Sequence, residues 1–211
     1  MYQAVIFDLD GVITDTAAFH FEAWRKMACE LGIEIDLTFN ENLKGLGRME
    51  SLDAILAFAG VELSQSEKQD WAARKNAYYL ELLKDLSPED CFDGVPELLT
   101  RLREKGLKLG LASASKNVFT VVEALALTQA FDFIADANKV ANSKPAPDIF
   151  LAAAEGLGLS PDVCIGVEDA KAGVEAIKLA GMFAIGVGDA TELAEADIVI
   201  KDTHEFPWTI L

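Results

Sequence analysis

The stretch Ala4-Val5-Ile6-Phe7-Asp8-Leu9-Asp10-Gly11 decides the fold. Its first four residues are apolar and largely β-branched or aromatic, which is typical of a strand buried on both faces of a parallel sheet. The strand then delivers two aspartates, Asp8 and Asp10, at its carboxyl end. Because ligands of open α/β sheets bind at the carboxyl ends of the strands, this segment also indicates where to look for a site.

Similar compact apolar runs recur further along the chain, each bounded by Gly, Asp, Ser or Lys. They cover residues 107–112, 131–135, 163–167, 183–187 and 198–200. Helical patterns alternate with them at residues 95–105, 117–127, 148–157 and 170–180. This alternation predicts right-handed crossovers and an α/β fold with a doubly wound, mostly parallel, Rossmann-like sheet.

The alternation is interrupted once, between about residues 15 and 90, where only helical periodicity is present. Helices are predicted there at residues 16–31, 39–43, 49–58 and 64–86. Such a segment is too long for a connecting loop, so we expect a separate helical module inserted after the first strand. The predicted organisation is a catalytic α/β core of residues 1–14 and 91–211 with a helical cap of residues 15–90.

The composition excludes several classes of function. The chain carries 18 Lys and Arg against 35 Asp and Glu, a formal charge of −17, and 51% of its residues are hydrophobic. This hydrophobic content argues against disorder, and the negative charge argues against nucleic-acid or membrane-surface partners. With no basic leader and no apolar run of about 18 residues, we expect a cytoplasmic protein. We also expect it to act as a monomer.

The cysteines give no sign of a structural framework. Cys29, Cys91 and Cys164 are odd in number, far apart and without C-x-x-C spacing. This argues against both disulfides and a zinc site. We expect all three to be reduced and mostly buried.

Polar residues stand at the ends of several predicted strands. Ser113 ends the second strand, Lys144 precedes Pro145, and Glu168 and Asp169 end the fourth strand. Together with Asp8 and Asp10 they supply four acidic groups, one lysine and a hydroxyl. This set suits a hard divalent cation beside a phosphoryl group, and an aspartate can attack phosphorus.

In this order along the chain, the segment Asp8 to Val12, the strand ending in Ser113, Lys144 and the pair Glu168-Asp169 resemble the four motifs of the haloacid dehalogenase superfamily. The inserted helices resemble the cap of that superfamily. Further segments resemble its β-phosphoglucomutase family, namely His20 and Trp24, residues 43–48, 74–76, 112–117 and 143–148.

The resemblance implies a role for each matching residue. Asp8 would be the nucleophile and Asp10 the general acid and base, while Ser113 and Lys144 would bind the transferring phosphoryl group. Mg²⁺ would be held by Asp8, the carbonyl group of Asp10, Glu168 and Asp169. The substrate would be bound by cap residues and by residues that follow the second strand: His20, Trp24, Gly45, Leu46, Arg48, Ser51, Lys75, Ser115, Lys116 and Asn117.

The implied reaction interconverts β-D-glucose 1-phosphate and glucose 6-phosphate through an aspartyl phosphate and β-glucose 1,6-bisphosphate. It needs a second anion site, for which Arg48 and Lys116 are suited. Two alternatives stay open: a sugar-phosphate phosphatase on the same scaffold, and a non-catalytic protein that binds sugar phosphates. The second would be indicated by loss of Asp8, Lys144 or an acidic partner, and none is lost.

Some of these residues also have simpler interpretations. His20 and Trp24 lie four residues apart on one predicted helix, so they could form a packed pair instead of contacting Asp10 or substrate. Arg48, Lys75 and Lys116 could be surface charges.

Two positions depart from the family pattern, with Gly47 and Ala170 where Ser is more usual. We expect the metal site to tolerate both changes and the loop at Gly47 to be more flexible.

Overall fold

Six parallel strands form one sheet at the centre of the computed structural model, which describes all 211 residues. The strands are β1 (Ala4–Phe7), β2 (Lys108–Leu111), β3 (Phe133–Ile134), β4 (Cys164–Glu168), β5 (Phe183–Val187) and β6 (Ile198–Ile200). Their order across the sheet is β3-β2-β1-β4-β5-β6. The strand order reverses beside β1, and such a switch point is where ligands bind in open α/β sheets.

Eight α-helices accompany the sheet. They are α1 (Ala17–Glu30), α2 (Leu37–Asn40), α3 (Arg48–Ala59), α4 (Gln65–Leu82), α5 (Val95–Glu104), α6 (Val118–Ala124), α7 (Asp148–Leu157) and α8 (Lys171–Leu179). Four of them, α1 to α4, stand between β1 and α5. The other four connect the strands.

The sheet is covered on both faces, which explains why its strands are continuously apolar. Val5 and Phe7 pack into an apolar cluster with residues of α5 and α6. Ala4 and Ile6 point to the other face and pack with residues of α7 and α8. β1 is therefore fully buried, and its carboxyl end is a rigid platform for Asp8 and Asp10.

Helices α1, α3 and α4 share an apolar cluster of their own. Trp24 and Met27 of α1 and Leu52 and Ile55 of α3 are members of it. α4 begins at a capping box in which Ser64 and Glu67 satisfy each other's backbone N–H groups. The chain passes from the sheet into this helical segment near Thr14 and returns near Cys91. Thr14 and Cys91 pair with each other in an isolated β-bridge.

The predicted fold class is confirmed, and the differences from the sequence prediction lie at element ends. The helix predicted at residues 117–127 ends at Ala124 because Ala126 has a left-handed φ of 57°. The strand predicted at residues 131–135 shrinks to Phe133–Ile134 at the sheet edge. The helix predicted at residues 64–86 ends at Leu82 and continues as a short 3-10 turn.

The prediction for the cysteines is wrong in part. All three are free thiols, but only Cys164 is buried, while Cys91 is half-buried and Cys29 is exposed. Cys29 lies in the last turn of α1 and is not a member of the apolar cluster that α1, α3 and α4 share. None of the helices is long and apolar enough to cross a lipid bilayer.

Candidate active site

A cleft between the carboxyl ends of the strands and helices α1 to α4 collects nearly all of the predicted site residues. Fourteen of the sixteen line it directly: Asp8, Asp10, His20, Trp24, Gly45, Leu46, Arg48, Ser51, Lys75, Ser113, Ser115, Lys116, Asn117 and Asp169. The other two, Lys144 and Glu168, are buried directly beneath Asp8. Residues from seven separate segments of the chain thus meet in one place.

The floor of the cleft is a lysine enclosed by carboxylates. Lys144 Nζ donates to Asp8 Oδ1 and to Glu168 Oε2, both at 2.7 Å, and its side chain is inaccessible to solvent. Burial alone would lower the pKa of Lys144, but the charges of Asp8 and Glu168 raise it above its usual value. Lys144 is therefore a permanent cation at this position.

This floor carries more negative than positive charge. Asp8, Asp10, Glu168 and Asp169 stand around the single Lys144. Burial, followed by the charge of Asp8, raises the pKa of Glu168 well above its usual value and that of Asp169 to about 6. Carboxyl groups in such a cluster need a further cation before all of them can ionise at neutral pH.

The carboxylates fit a hard divalent cation. Oxygen atoms of Asp8, Glu168 and Asp169 all lie within 4.8 Å of one another. Room for them is made by glycines: a Cβ on Gly11 would stand 2.1 Å from Asp169 Oδ2, and one on Gly173 would stand 2.0 Å from Glu168 Oε2. A donor set made of oxygen alone is the kind that Mg²⁺ prefers.

Asp10 occupies a distinct environment above this floor. Thr16 donates a hydrogen bond from Oγ1 to Asp10 Oδ1, and Tyr79 Oη lies 3.1 Å from Thr16 Oγ1. Burial, then the charge of Asp8, raises the pKa of Asp10 to about 7. A carboxyl group that is half protonated near neutral pH is suited to give and take protons.

The opposite side of the cleft, formed by the helices, has excess positive charge. Lys75 is 3% exposed, and its Nζ lies 2.7 Å from His20 Nδ1 and 4.6 Å from the centre of the Trp24 ring. Burial, followed by the charge of Arg48, lowers the pKa of Lys75 to about 7. Arg48 and Lys75 form no salt bridge with any carboxylate, so an anion would complete this end of the cleft.

His20 combines the two roles that the sequence left open. Its ring stacks on Tyr79 at 4.0 Å between centroids, so it is a packed aromatic residue. Its Nε2 also lies 4.0 Å from Asp10 Oδ2, and its Nδ1 faces Lys75. Burial, followed by the Lys75 charge, lowers the pKa of His20 well below its usual value, which favours the neutral imidazole.

The turn after β2 presents polar groups from the sheet side. Ser113 is 1% exposed, and its Oγ accepts a hydrogen bond from Ser115 N at 3.0 Å. Ser115 Oγ in turn accepts from Asn117 N at 3.3 Å. These local bonds hold the turn in shape while Lys116 and Asn117 line the cleft.

Both departures from the family pattern have local explanations. Ala170 N donates to Glu168 Oε1 at 3.2 Å, a backbone contact that any side chain at position 170 preserves. Gly47 has an ordinary φ of −70°, so its conformation does not require glycine. A Cβ at Gly47 would stand 2.2 Å from Ser143 Oγ, so the space that a serine would use is taken by Ser143.

Sequence reasoning gave no role to several residues that the fold brings to the cleft. Thr16 and Tyr79 support Asp10, Lys44 lines the cleft, and Asn76 contacts both Arg48 and Asn117. Tyr79 lies four residues after Lys75 on α4, on the same helix face, and this spacing could have revealed it.

Comparisons with known proteins show which family this chain belongs to. A family model for haloacid dehalogenase-like hydrolases matches residues 2–181. The chain is 46% identical to a β-phosphoglucomutase of Bacillus subtilis over 211 residues, covering 99% of this chain and 93% of that protein. It is also 32% identical to a phosphorylated carbohydrates phosphatase of Thermotoga maritima, covering 93% of this chain and 92% of that one.

A solved structure is similar over the whole chain. A crystal structure of β-phosphoglucomutase from Clostridium difficile has 48% sequence identity and a TM-score of 0.96. The match covers 100% of this chain and 95% of that chain. The arrangement of sheet and helices described above is therefore shared with an enzyme of that name.

Proposed function

The chain belongs to the haloacid dehalogenase-like hydrolase family, and from this premise we propose that it is a β-phosphoglucomutase. In the proposed reaction, β-D-glucose 1-phosphate and glucose 6-phosphate interconvert through an aspartyl phosphate and β-glucose 1,6-bisphosphate. The observation that carries the proposal is the opposite charge of the two ends of the cleft. A sugar bisphosphate needs one phosphate at the reacting carboxylate and the other at a separate cationic site.

Asp8 is the proposed nucleophile. One of its oxygens is held by Lys144 at 2.7 Å, which leaves the other free to attack phosphorus. Lys144 and the hydroxyl of Ser113 then face the oxygens of the transferring phosphoryl group and balance their charge. This interpretation gives a use to a lysine that is fully buried and permanently charged.

Asp10 is the proposed general acid and base. When a sugar hydroxyl attacks the aspartyl phosphate, Asp10 takes its proton, and the P–O bond to Asp8 breaks. In the reverse direction Asp8 attacks the bisphosphate, and Asp10 returns the proton to the departing sugar oxygen. Thr16 fixes the carboxyl group for both transfers.

Proteins of this family that transfer phosphoryl groups use a metal ion, and we propose Mg²⁺ here. Asp8, Glu168, Asp169 and the carbonyl group of Asp10 would hold it. When bound, the ion supplies positive charge that offsets the repulsion between carboxylates and phosphate. The floor of the cleft needs that charge because its four carboxyl groups outnumber the single cation, Lys144.

The cap side is proposed to hold the phosphate that is not being transferred. Arg48 and Lys116 supply charge, and Ser115 and Asn117 supply polar contacts. Trp24, Ser51, Lys75, His20, Gly45 and Leu46 would surround the sugar. The sugar must turn over between the two half-reactions, so this end must bind either phosphate equally well.

The remaining parts of the proposal concern organisation. We propose that residues 15–90 act as a cap domain on a core of residues 1–14 and 91–211. The apolar cluster shared by α1, α3 and α4 supports this division. We further propose a monomer, because every predicted site residue is supplied by this single chain. A cytoplasmic location is proposed because the relatives act on sugar phosphates.

The direct test of the proposal is to find the phosphoryl group on Asp8. The protein is mixed with Mg²⁺ and β-glucose 1,6-bisphosphate, quenched in acid, and the modified peptide is identified by mass spectrometry. We expect one phosphoryl group on Asp8 and none in Asp8→Asn. Phosphorylation of a different residue, or of none, would overturn the mechanism.

A further inference from the structure

Asn76 of α4 has no role in the mechanism above, yet its side chain connects the two sides of the cleft. Its Oδ1 accepts a hydrogen bond from Arg48 Nη2 at 2.8 Å and another from Asn117 Nδ2 at 2.8 Å. Arg48 is the first residue of α3, and Asn117 directly precedes α6. One amide oxygen thus joins two cap helices to the sheet domain.

Both partners of Asn76 belong to the proposed site for the second phosphate. The orientation of the Asn76 amide is fixed by its neighbours, since two donors can share only an oxygen. Each partner gives one N–H group to Asn76 and keeps its other donors for a ligand. The contact therefore orients the side chains of Arg48 and Asn117 and leaves their remaining donors free to bind a ligand.

The choice of an amide also matters for charge. A carboxylate at position 76 would accept the same two hydrogen bonds but would neutralise Arg48 and reduce the positive charge around Lys75. A neutral oxygen acceptor orients the guanidinium group and leaves its charge available to phosphate. This distinction separates a role in phosphate binding from a role in holding the fold.

We propose that Asn76 is a positioning residue, whose oxygen assembles Arg48 and Asn117 into the second phosphate site when α3 and α4 rest on the sheet domain. The proposal rests on the proposed function. Asn76 is proposed to contact neither the reacting atoms nor the substrate, and to act through Arg48 and Asn117. Loss of Asn76 should therefore have the least effect on the reaction of substrates that carry no second phosphate.

The experiment compares Asn76→Ala, Asn76→Asp and a control, Asn42→Ala, on two substrates. Asn42 is an exposed cap residue whose amide contacts only Phe39 O, at 3.2 Å. The substrates are β-glucose 1-phosphate, primed with bisphosphate, and acetyl phosphate, which has one phosphoryl group and no sugar. For each variant kcat and KM are determined with both substrates, and melting temperature checks folding.

We expect Asn76→Ala to lower kcat/KM for the sugar phosphate by roughly tenfold more than for acetyl phosphate, mostly through KM. Asn76→Asp has nearly the same shape, and should lose at least as much on the sugar phosphate because it neutralises Arg48. Rescue of sugar-phosphate turnover by Asn76→Asp would indicate a purely structural role and overturn the proposal. So would equal losses on the two substrates.

A double-mutant cycle tests the contact itself. Because Asn76 and Asn117 share one hydrogen bond, Asn76→Ala with Asn117→Ala should lose less than the product of the two single losses. If the loss of activity in the double variant equals the product of the two single losses, the positioning role is overturned. If wild type makes no glucose 6-phosphate, the proposed function fails; if wild type does and Asn76→Ala matches Asn42→Ala, only the Asn76 proposal fails.

Discussion

The two ends of the cleft are built in different ways and carry opposite charge. The floor stands on adjacent strands: Phe7 of β1 pairs with Val167 of β4, so Asp8 and Glu168 must lie side by side. The cap end is assembled from α1, α3 and α4, which pack through a shared apolar cluster and are joined by ion pairs such as Arg74–Glu30 and Lys68–Asp53. The register of the strands therefore places the proposed catalytic carboxylates, whereas side-chain packing places the residues proposed to bind substrate.

The charges follow the same division. The floor has more carboxylates than cations and calls for a metal ion, while the cap end has Arg48 and Lys75 without carboxylate partners and calls for an anion. Substitutions at the floor should therefore abolish phosphoryl transfer. Changes at the cap end should weaken binding and leave the chemistry of small donors nearly intact.

The largest effect is expected from Asp8→Ala. This change removes both the nucleophile and a proposed metal ligand, so turnover should fall to the background level. Isomerisation of β-glucose 1-phosphate measures it, with Asp53→Ala, a change at an exposed cap residue paired with Lys68, as the control. Mutase activity in Asp8→Ala above that of an empty-vector preparation would contradict the role of Asp8.

Removal of Mg²⁺ by excess EDTA should stop catalysis and leave the fold intact. The apolar core is large enough to fold without the ion, so only a modest fall in melting temperature is expected from the unbalanced carboxylates. Activity and thermal unfolding are followed in the same samples, and added Mg²⁺ should restore both. Undiminished activity in EDTA would rule out the proposed role of Glu168 and Asp169.

Asp10→Asn should retain the backbone carbonyl group of this residue but lose proton transfer. Such a loss typically costs about 10² to 10⁴ in rate. The measurement is kcat for isomerisation, with a check that the variant still binds Mg²⁺. A loss below about threefold would show that Asp10 is not the acid and base.

Arg48→Ala tests the cap end. Loss of one charge-assisted contact of roughly 1.5 to 3 kcal/mol should weaken binding of the bisphosphate by about tenfold to a hundredfold. The reaction of Asp8 with acetyl phosphate should change little, because that donor has no second phosphate. An equal fall in both reactions would instead assign a general structural role to Arg48.

The smallest effect expected is on stability, at Lys75. Burial, followed by the charge of Arg48, lowers the pKa of Lys75 to about 7 from the ordinary 10.5. Between these values the unfolded chain binds the proton and the folded chain does not, so the penalty is full below about pH 7 and fades as pH rises toward 10.5. Lys75→Met removes the penalty and should raise the melting temperature.

The gain should be larger at about pH 6 than at about pH 9. It is measured by thermal unfolding of Lys75→Met and wild type in matched buffers. Lys68→Met, at a partly exposed lysine of α4, serves as the control for the loss of a lysine from this helix. A difference between Lys75→Met and wild type that does not vary with pH would contradict the lowered pKa.

The same division explains how much could be predicted from the sequence. The positions of Asp8 and Glu168 were predictable because each residue directly follows a buried apolar run, at Phe7-Asp8 and Val167-Glu168. The contacts of Asn76 with Arg48 and Asn117 were not, because they depend on how α4 is rotated against α3 and the sheet domain. The segments that resemble the family nevertheless include the cap residues that line the cleft.

The partition of the aspartyl phosphate between sugar and water tests the central claim most directly. The wild-type protein is incubated with Mg²⁺, β-glucose 1-phosphate and a trace of bisphosphate, and glucose 6-phosphate and free phosphate are followed together. The account predicts glucose 6-phosphate as the main product, with the share of free phosphate rising in Arg48→Ala. Free phosphate as the main product of the wild type would contradict it and assign the protein to the sugar-phosphate phosphatases.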